Sequence, residues 1–167
     1  MKGKIHNEKG TFGKLSSQLT VLIVDSAHES RSEITQAFLE CGLKAISVNT
    51  GAEAFDVICW MRSPVLAIID IILPDMSGLE LATRLKRERA IPIVITGYQA
   101  EPHLIAGLLD LIADDFVRKP FDPRELAARV LRILQSNPNA ILAQSKKRGA
   151  EPTQRMSAGR VSAKLAH

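Results

Sequence analysis

Five short apolar runs punctuate this chain, and each is followed by a stretch whose apolar residues recur at helical spacing. The runs are TVLIVD (20–25), LKAISV (43–48), VLAIID (65–70), IPIVIT (91–96) and DFVRK (115–119). Helical patterns follow over 29–41, 51–61, 79–88, 101–112 and 122–135. In the first of them Ile34, Ala37, Phe38 and Cys41 share a face, and Gly42 stands where a helix closes on a left-handed residue. Asp122 and Pro123 form a helix start, a cap followed by a first-turn proline. The third run is apolar from Val65 through Ile69, as expected of a strand covered on both faces. Five alternations of strand and helix predict an α/β fold, a parallel sheet flanked by helices on both sides.

The polar residues that close these runs change the picture. The first run ends in Asp25, the third in Asp70, the fourth in Thr96 and the fifth in Lys119. In a parallel sheet all strand carboxyl ends lie along one edge, the edge at which open α/β sheets bind ligands. These four side chains are therefore expected to converge. Two neighbouring carboxylates repel unless a cation lies between them. Lys119 supplies one positive charge and a divalent ion would supply two more. Carboxylates, a backbone carbonyl and retained waters suit Mg²⁺. A carboxylate nucleophile beside a hydroxyl and an ammonium is the equipment of phosphoryl transfer. Polar groups paired only for structure are the plainer alternative, but that account leaves the recurrence at four strand ends unexplained.

Composition and charge refine this reading. The chain has 167 residues, 46% of them apolar, enough for one domain with a substantial core. Aromatics are few (Trp60, Tyr98 and five Phe), so the core is aliphatic. No run approaches the roughly 18 apolar residues of a membrane span, so no membrane contact is expected. The basic start has no apolar segment behind it, unlike a secretory signal. Cys41 and Cys59 are isolated and suit neither a disulfide framework nor a metal site. A cytoplasmic protein with reduced thiols is expected. The net charge of +4 conceals an asymmetry: residues 1–18 carry four Lys and one Glu, residues 136–167 six Lys or Arg and one Glu, and the span between them is net acidic. The organisation read from this is a flexible basic extension (1–18), a folded body (19–135) and a basic, disordered tail (136–167). Solvated ends are the simplest reading of these charges, and nucleic-acid binding through the tail is the alternative.

The segments VLIVD, LAIIDIILPDMSGLEL, IPIVIT and ADDFVRKPFDPRELAARV resemble the receiver domain of bacterial two-component response regulators, the CheY-like superfamily, over about residues 19–135. The last of them is most similar to receivers of the DNA-binding, winged-helix subfamily. The resemblance implies a flavodoxin-like three-layer sandwich, a five-stranded parallel sheet of order 2-1-3-4-5 with five helices. It implies that Asp70 is the phosphoacceptor, charged by a histidine kinase or histidine phosphotransfer protein. Asp25 then belongs to an acidic pair that holds Mg²⁺, with the backbone carbonyl of Ile72 completing the shell. Thr96 matches the switch hydroxyl, Lys119 the phosphoryl-binding lysine, Phe116 the aromatic that swings on activation, and Pro120 a proline often in a cis bond. Asp115 and Arg129, with Glu125 as a second candidate, match positions that pair across a homodimer. That dimer forms on the face made by the 101–112 helix, the fifth strand and the last helix.

Two departures from the family pattern stand out. The usual acidic pair is here Asp25–Ser26, one negative charge fewer, so Mg²⁺ is expected to bind weakly, with Ser26 contributing weakly or through a water. Glu29, one turn on, reads as a helix-start charge. The interval from Thr96 to Lys119 is one residue longer than usual, Ile112 replaces the glycine that would end the 101–112 helix, and Gly107 inside it costs about 1 kcal/mol relative to Ala. His28 and His103 read as surface residues, Trp60 and Met61 as core or half-core, and RLKRER (84–89) as a solvated helix end. The 32 residues after Gln135 are too few and too polar for a winged helix. The reading is thus a single-domain response regulator, not an enzyme in the ordinary sense, that signals to a downstream protein target. Its rivals are a phosphorylation-independent pseudo-receiver and a DNA-binding-type regulator lacking its output domain. A third, a small phosphatase, lacks the second acid two residues after Asp70.

Overall fold

A computed structural model describes residues 19–60, 64–98, 107 and 111–137. The strands are β1 (Thr20–Val24), β2 (Lys44–Val48), β3 (Pro64–Asp70), β4 (Ile93–Gly97) and β5 (Asp115–Arg118). The helices described in full are α1 (His28–Glu40), α2 (Gly51–Trp60), α3 (Gly78–Glu88) and α4 (Pro123–Ser136). Most of the helix expected over 101–112 lies outside the described residues, as do both basic ends, His103, Met61 and the Trp60 side chain. Among the described residues no helix is long and apolar enough to cross a membrane.

All four strand pairings are parallel and the order is β2-β1-β3-β4-β5. Successive strand side chains face opposite ways, so the unbroken apolar runs of β1, β3 and β4 feed two cores at once. On one face Val21, Ile23, Leu66, Ile68 and Val94 pack with Ile34 and Phe38 of α1 and Leu126, Val130 and Leu134 of α4. On the other, Leu22, Val24, Ala67, Ile69, Ile93 and Ile95 pack with Ala54 and Ile58 of α2 and Leu81 and Leu85 of α3. Fully burying one such aliphatic side chain is worth about 2 kcal/mol.

Local chemistry sets the boundaries. β4 begins two residues later than its apolar run, because Pro92 has no N–H to give a ladder and offers only its carbonyl, to Ala67 N–H (3.0 Å). Asp114 closes that corner: its carboxylate accepts from Ile93 N–H (2.8 Å) and pairs with Lys86 (2.9 Å). α1 ends in a Schellman turn, with Gly42 at φ 77°, Gly42 N–H on the Leu39 carbonyl and Leu43 N–H on the Phe38 carbonyl. Cys41 is the C-cap of that turn and is exposed, so it does not share the buried face of Ile34, Ala37 and Phe38. One residue past a helix end, the 3.6-residue period no longer decides which way a side chain points. α4 begins as its sequence predicts, with the Asp122 carboxylate accepting from Arg124 N–H and Pro123 in the first turn.

Candidate functional site

The carboxyl edge of the sheet is built from four strand ends and the loops that leave them. Val24 lies opposite Ile69, so Asp25 and Asp70 each stand at the same level, where their strands stop. Asp70 pairs with Thr96 on β4, and Thr96 with Val117 on β5. Lys119 follows β5, its N–H on the Gly97 carbonyl (2.8 Å). The Lys119–Pro120 peptide bond is cis.

The Lys119 ammonium bridges the two acids, 2.7 Å from Asp25 Oδ2 and 2.5 Å from Asp70 Oδ2. All three side chains are buried, but unequally: the Asp70 side chain is 11% exposed and that of Asp25 only 2%, so Asp70 is the carboxylate that opens to solvent. Burial is the largest single influence on Lys119 and pulls its pKa down. Hydrogen bonds that Lys119 donates to the two aspartates, and their charge, together outweigh burial, holding the ammonium above the ordinary lysine value. The lysine therefore stays charged at neutral pH.

The remaining carboxylate oxygens are held by short-range donors. Asp25 Oδ1 accepts from Ala27 N–H (2.8 Å) and Asp25 Oδ2 also from the Ser30 hydroxyl (2.8 Å). Arg31 donates to the Asp25 carbonyl at 2.5 Å. Asp70 Oδ1 accepts from Ile72 N–H (3.2 Å). Ser26 and Ile72 are exposed, Ile72 at 72%. Thr96 is 1% exposed. Phe116 is half-buried beside Gly97, whose missing side chain leaves room for Ile71 and the Phe116 ring.

The loop after Asp70 is tightly folded. Ile71 N–H bonds the Thr96 carbonyl (2.8 Å), Ile72 bridges Ser77, and Gly78 N–H returns to the Ile71 carbonyl (3.0 Å). A Cβ at Gly78 would lie 2.0 Å from the Asp70 carbonyl oxygen, so only glycine fits. Ser77 then caps α3, accepting from Leu79 N–H.

As a donor set for a hard cation, this edge offers the Asp25 and Asp70 carboxylates. Among the described residues no three His, Cys, Asp or Glu side chains gather into a cage for a metal ion. Two carboxylates completed by waters fit Mg²⁺, which keeps much of its hydration. Lys119 already shares one oxygen of each acid, so such an ion meets a pocket whose charge is partly neutralised.

The dimer-face candidates pair within the chain: Arg129 reaches Asp115 (3.2 Å) and Glu125 (2.9 Å). Those hydrogen bonds, Glu125 first, raise the Arg129 pKa further. Four contributors to the edge escaped the sequence reading. Ser30 and Arg31 bind Asp25 from α1, Asp75 binds the start of α2, and the Tyr98 ring lies 5.7 Å from Lys119 Nζ. Each is a polar or exposed residue in a polar stretch, with no periodic signal to mark it.

A parallel 2-1-3-4-5 sheet carrying a lysine-bridged acid pair at its carboxyl edge is the architecture of a phosphorelay receiver. The response regulator receiver domain family matches residues 21–131, and the chain belongs to it. It is 40% identical over 120 residues to the phosphate regulon transcriptional regulatory protein PhoB of Pseudomonas aeruginosa, an alignment covering 70% of this chain and 52% of that protein. It is 34% identical over 120 residues to the transcriptional regulatory protein GltR of the same organism, covering 70% and 49%. The chain thus spans about half the length of the curated relatives it matches. A two-component response regulator from Clostridium difficile superposes with TM-score 0.60 at 26% identity, covering 77% of this chain and 98% of that one. Response regulator DrrB of Thermotoga maritima shares the fold, with TM-score 0.64 at 24% identity and 72% and 54% coverage. The chain is a receiver domain of a two-component response regulator.

Proposed function

We propose that Asp70 accepts a phosphoryl group from the phosphohistidine of a histidine kinase or phosphotransfer protein, and that the receiver then signals through protein–protein contact. The observation that carries this reading is the Lys119 ammonium held between Asp25 and Asp70, with Asp70 the more open of the two acids. In the transfer the P–N bond of the donor breaks, a P–O bond to an Asp70 carboxylate oxygen forms, and the histidine nitrogen takes up a proton. Lys119 moves its hydrogen bond from Asp70 to a phosphoryl oxygen. Asp25, Asp70 and the Ile72 carbonyl, with Ser26 weakly or through a water, would hold Mg²⁺, which would supply charge neutralisation. Thr96 and Phe116 report the new charge as a shift between two arrangements of the edge. The partners read into this scheme are the phosphodonor, a downstream protein and a second copy of the chain through the Asp115, Glu125 and Arg129 face. Contact between the basic tail and nucleic acid ranks behind these.

A second reading rests on Ser26 and on the full use of both carboxylates by internal donors: a receiver that signals without phosphorylation. Incubation with a small phosphodonor and Mg²⁺ followed by intact-mass measurement separates the two. The first reading expects one added phosphoryl group on the wild type and none on Asp70→Asn. An unlabelled wild type at every Mg²⁺ concentration favours the second.

A further inference from the structure

The start of α2 is capped in two unequal parts. The Thr50 hydroxyl accepts from Glu53 N–H (3.2 Å), and the Glu53 carboxylate reaches back to Asn49 N–H (3.1 Å), a capping box supplied by the helix's own segment. That leaves the Gly51 and Ala52 amides, which have no partner within a helix. Both donate to one carboxylate from another part of the chain: Gly51 N–H to Asp75 Oδ1 and Ala52 N–H to Asp75 Oδ2, each at 2.9 Å. The bond from Gly51, then that from Ala52, keeps the Asp75 carboxyl below its ordinary pKa. Met76 adds contact at the same point, since a Cβ at Gly51 would fall 2.6 Å from its sulfur.

Asp75 belongs to the 71–77 loop that leaves the Asp70 strand. Backbone bonds tie the two ends of that loop, Ile71 to Thr96, Gly78 to Ile71 and Ile72 to Ser77, and Leu73 is buried in the core beneath it. Its tip is fastened to α2 by Asp75. Ile72, whose N–H reaches Asp70 Oδ1 at 3.2 Å, lies between these fastenings.

We propose that Asp75 is a positioning residue for the phosphoacceptor: by clamping the loop tip onto the first two amides of α2 it holds Ile72 against Asp70. The role of Asp70 itself rests on the function proposed above, but the placement of Ile72 can be read independently. The experiment compares Asp75→Ala, Asp75→Asn and Thr50→Ala in the full chain, by backbone amide shifts and hydrogen exchange. Thr50→Ala weakens the same helix start without touching the loop. In Asp75→Ala, protection of the Gly51, Ala52 and Ile72 amides is expected to fall by about tenfold, with Asp75→Asn intermediate because it keeps one accepting oxygen. In Thr50→Ala, Ile72 is expected to stay as in the wild type. An unchanged Ile72 amide in Asp75→Ala, or an equal loss in Thr50→Ala, overturns the proposal and leaves Asp75 a helix cap only. A parallel arm follows labelling by a small phosphodonor against Mg²⁺ concentration. There the half-saturating Mg²⁺ is expected to rise severalfold in Asp75→Ala. A wild type that never labels sinks the phosphorylation reading, while the amide data still decide the role of Asp75.

Discussion

Asp25, Asp70, Thr96 and Lys119 were legible in the sequence because each closes a strand-like apolar run, and a parallel sheet puts such residues on one edge. What the string could not reveal is how their charge is shared. One ammonium serves both acids. Removing it leaves two buried carboxylates side by side, so Lys119→Met is expected to cost about 3 kcal/mol in chemical denaturation without Mg²⁺, with part of the loss recovered when Mg²⁺ is added. The pH dependence follows from the direction of the lysine shift. Its folded pKa is raised, so its contribution is complete below the unfolded value of 10.5 and is lost as pH rises through the higher folded value. The wild type should therefore lose stability at strongly alkaline pH along a limb that Lys119→Met lacks. Asp75 has the opposite sign: its contribution is present above 3.8 and fades as pH falls through its lowered folded pKa. A wild-type profile without the alkaline limb would mean that the ammonium is not shared as described. The pairing of Asp115 with Arg129 within one chain was equally beyond the sequence, since spacing alone does not say whether a partner lies in the same molecule.

Strands and helices were legible wherever period and punctuation agreed. α4 is the clearest case: Asp122, Pro123 and the apolar stripe through Leu126, Val130 and Leu134 name its start, direction and buried face. Boundaries shifted where a single residue's backbone chemistry outweighed the apolar pattern, as Pro92 did for β4 and the Schellman turn did for Cys41. Two glycines make this quantitative. Gly42 has φ 77°, a conformation that costs an alanine about 1 kcal/mol, so Gly42→Ala should lower stability by that amount and leave the receiver edge intact. Gly78 has an ordinary role in the sequence pattern, the residue that follows a cap, and an extraordinary one in space. A methyl group there would collide with the Asp70 carbonyl, and backbone cannot swing aside as a side chain can. Gly78→Ala is expected to cost about 3 kcal/mol or more and to lower phosphodonor labelling as well, because the displaced atom belongs to the acceptor residue. Thermal denaturation together with the labelling rate checks both. A near-neutral Gly78→Ala would show that the turn relaxes more freely than its contacts suggest.

On the scale of the whole molecule, the sequence announced an acidic body between basic ends and a sheet with two covered faces, and the 2-1-3-4-5 order follows from the receiver family. It could not announce how the reactive edge joins the two cores. Asp25, Asp70 and Lys119 continue β1, β3 and β5, and residues of those strands enter both clusters. A ligand that ties these ends together therefore stabilises the fold as one unit. Binding only to the folded chain adds about 1.4 kcal/mol at tenfold excess over Kd. With two carboxylates already shared by Lys119, the wild type should need much Mg²⁺ to gain that amount. Ser26→Asp adds a third carboxylate at the same edge, where charge count governs affinity, and should tighten Mg²⁺ by about tenfold. The same substitution adds repulsion when no cation is present. Melting curves of the two proteins are therefore expected to cross. In chelator Ser26→Asp melts below the wild type, and in millimolar Mg²⁺ it gains about 3–6 °C more than the wild type does. Curves that stay parallel as Mg²⁺ rises would place the ion elsewhere, because only a site that includes residue 26 makes the gain depend on its charge.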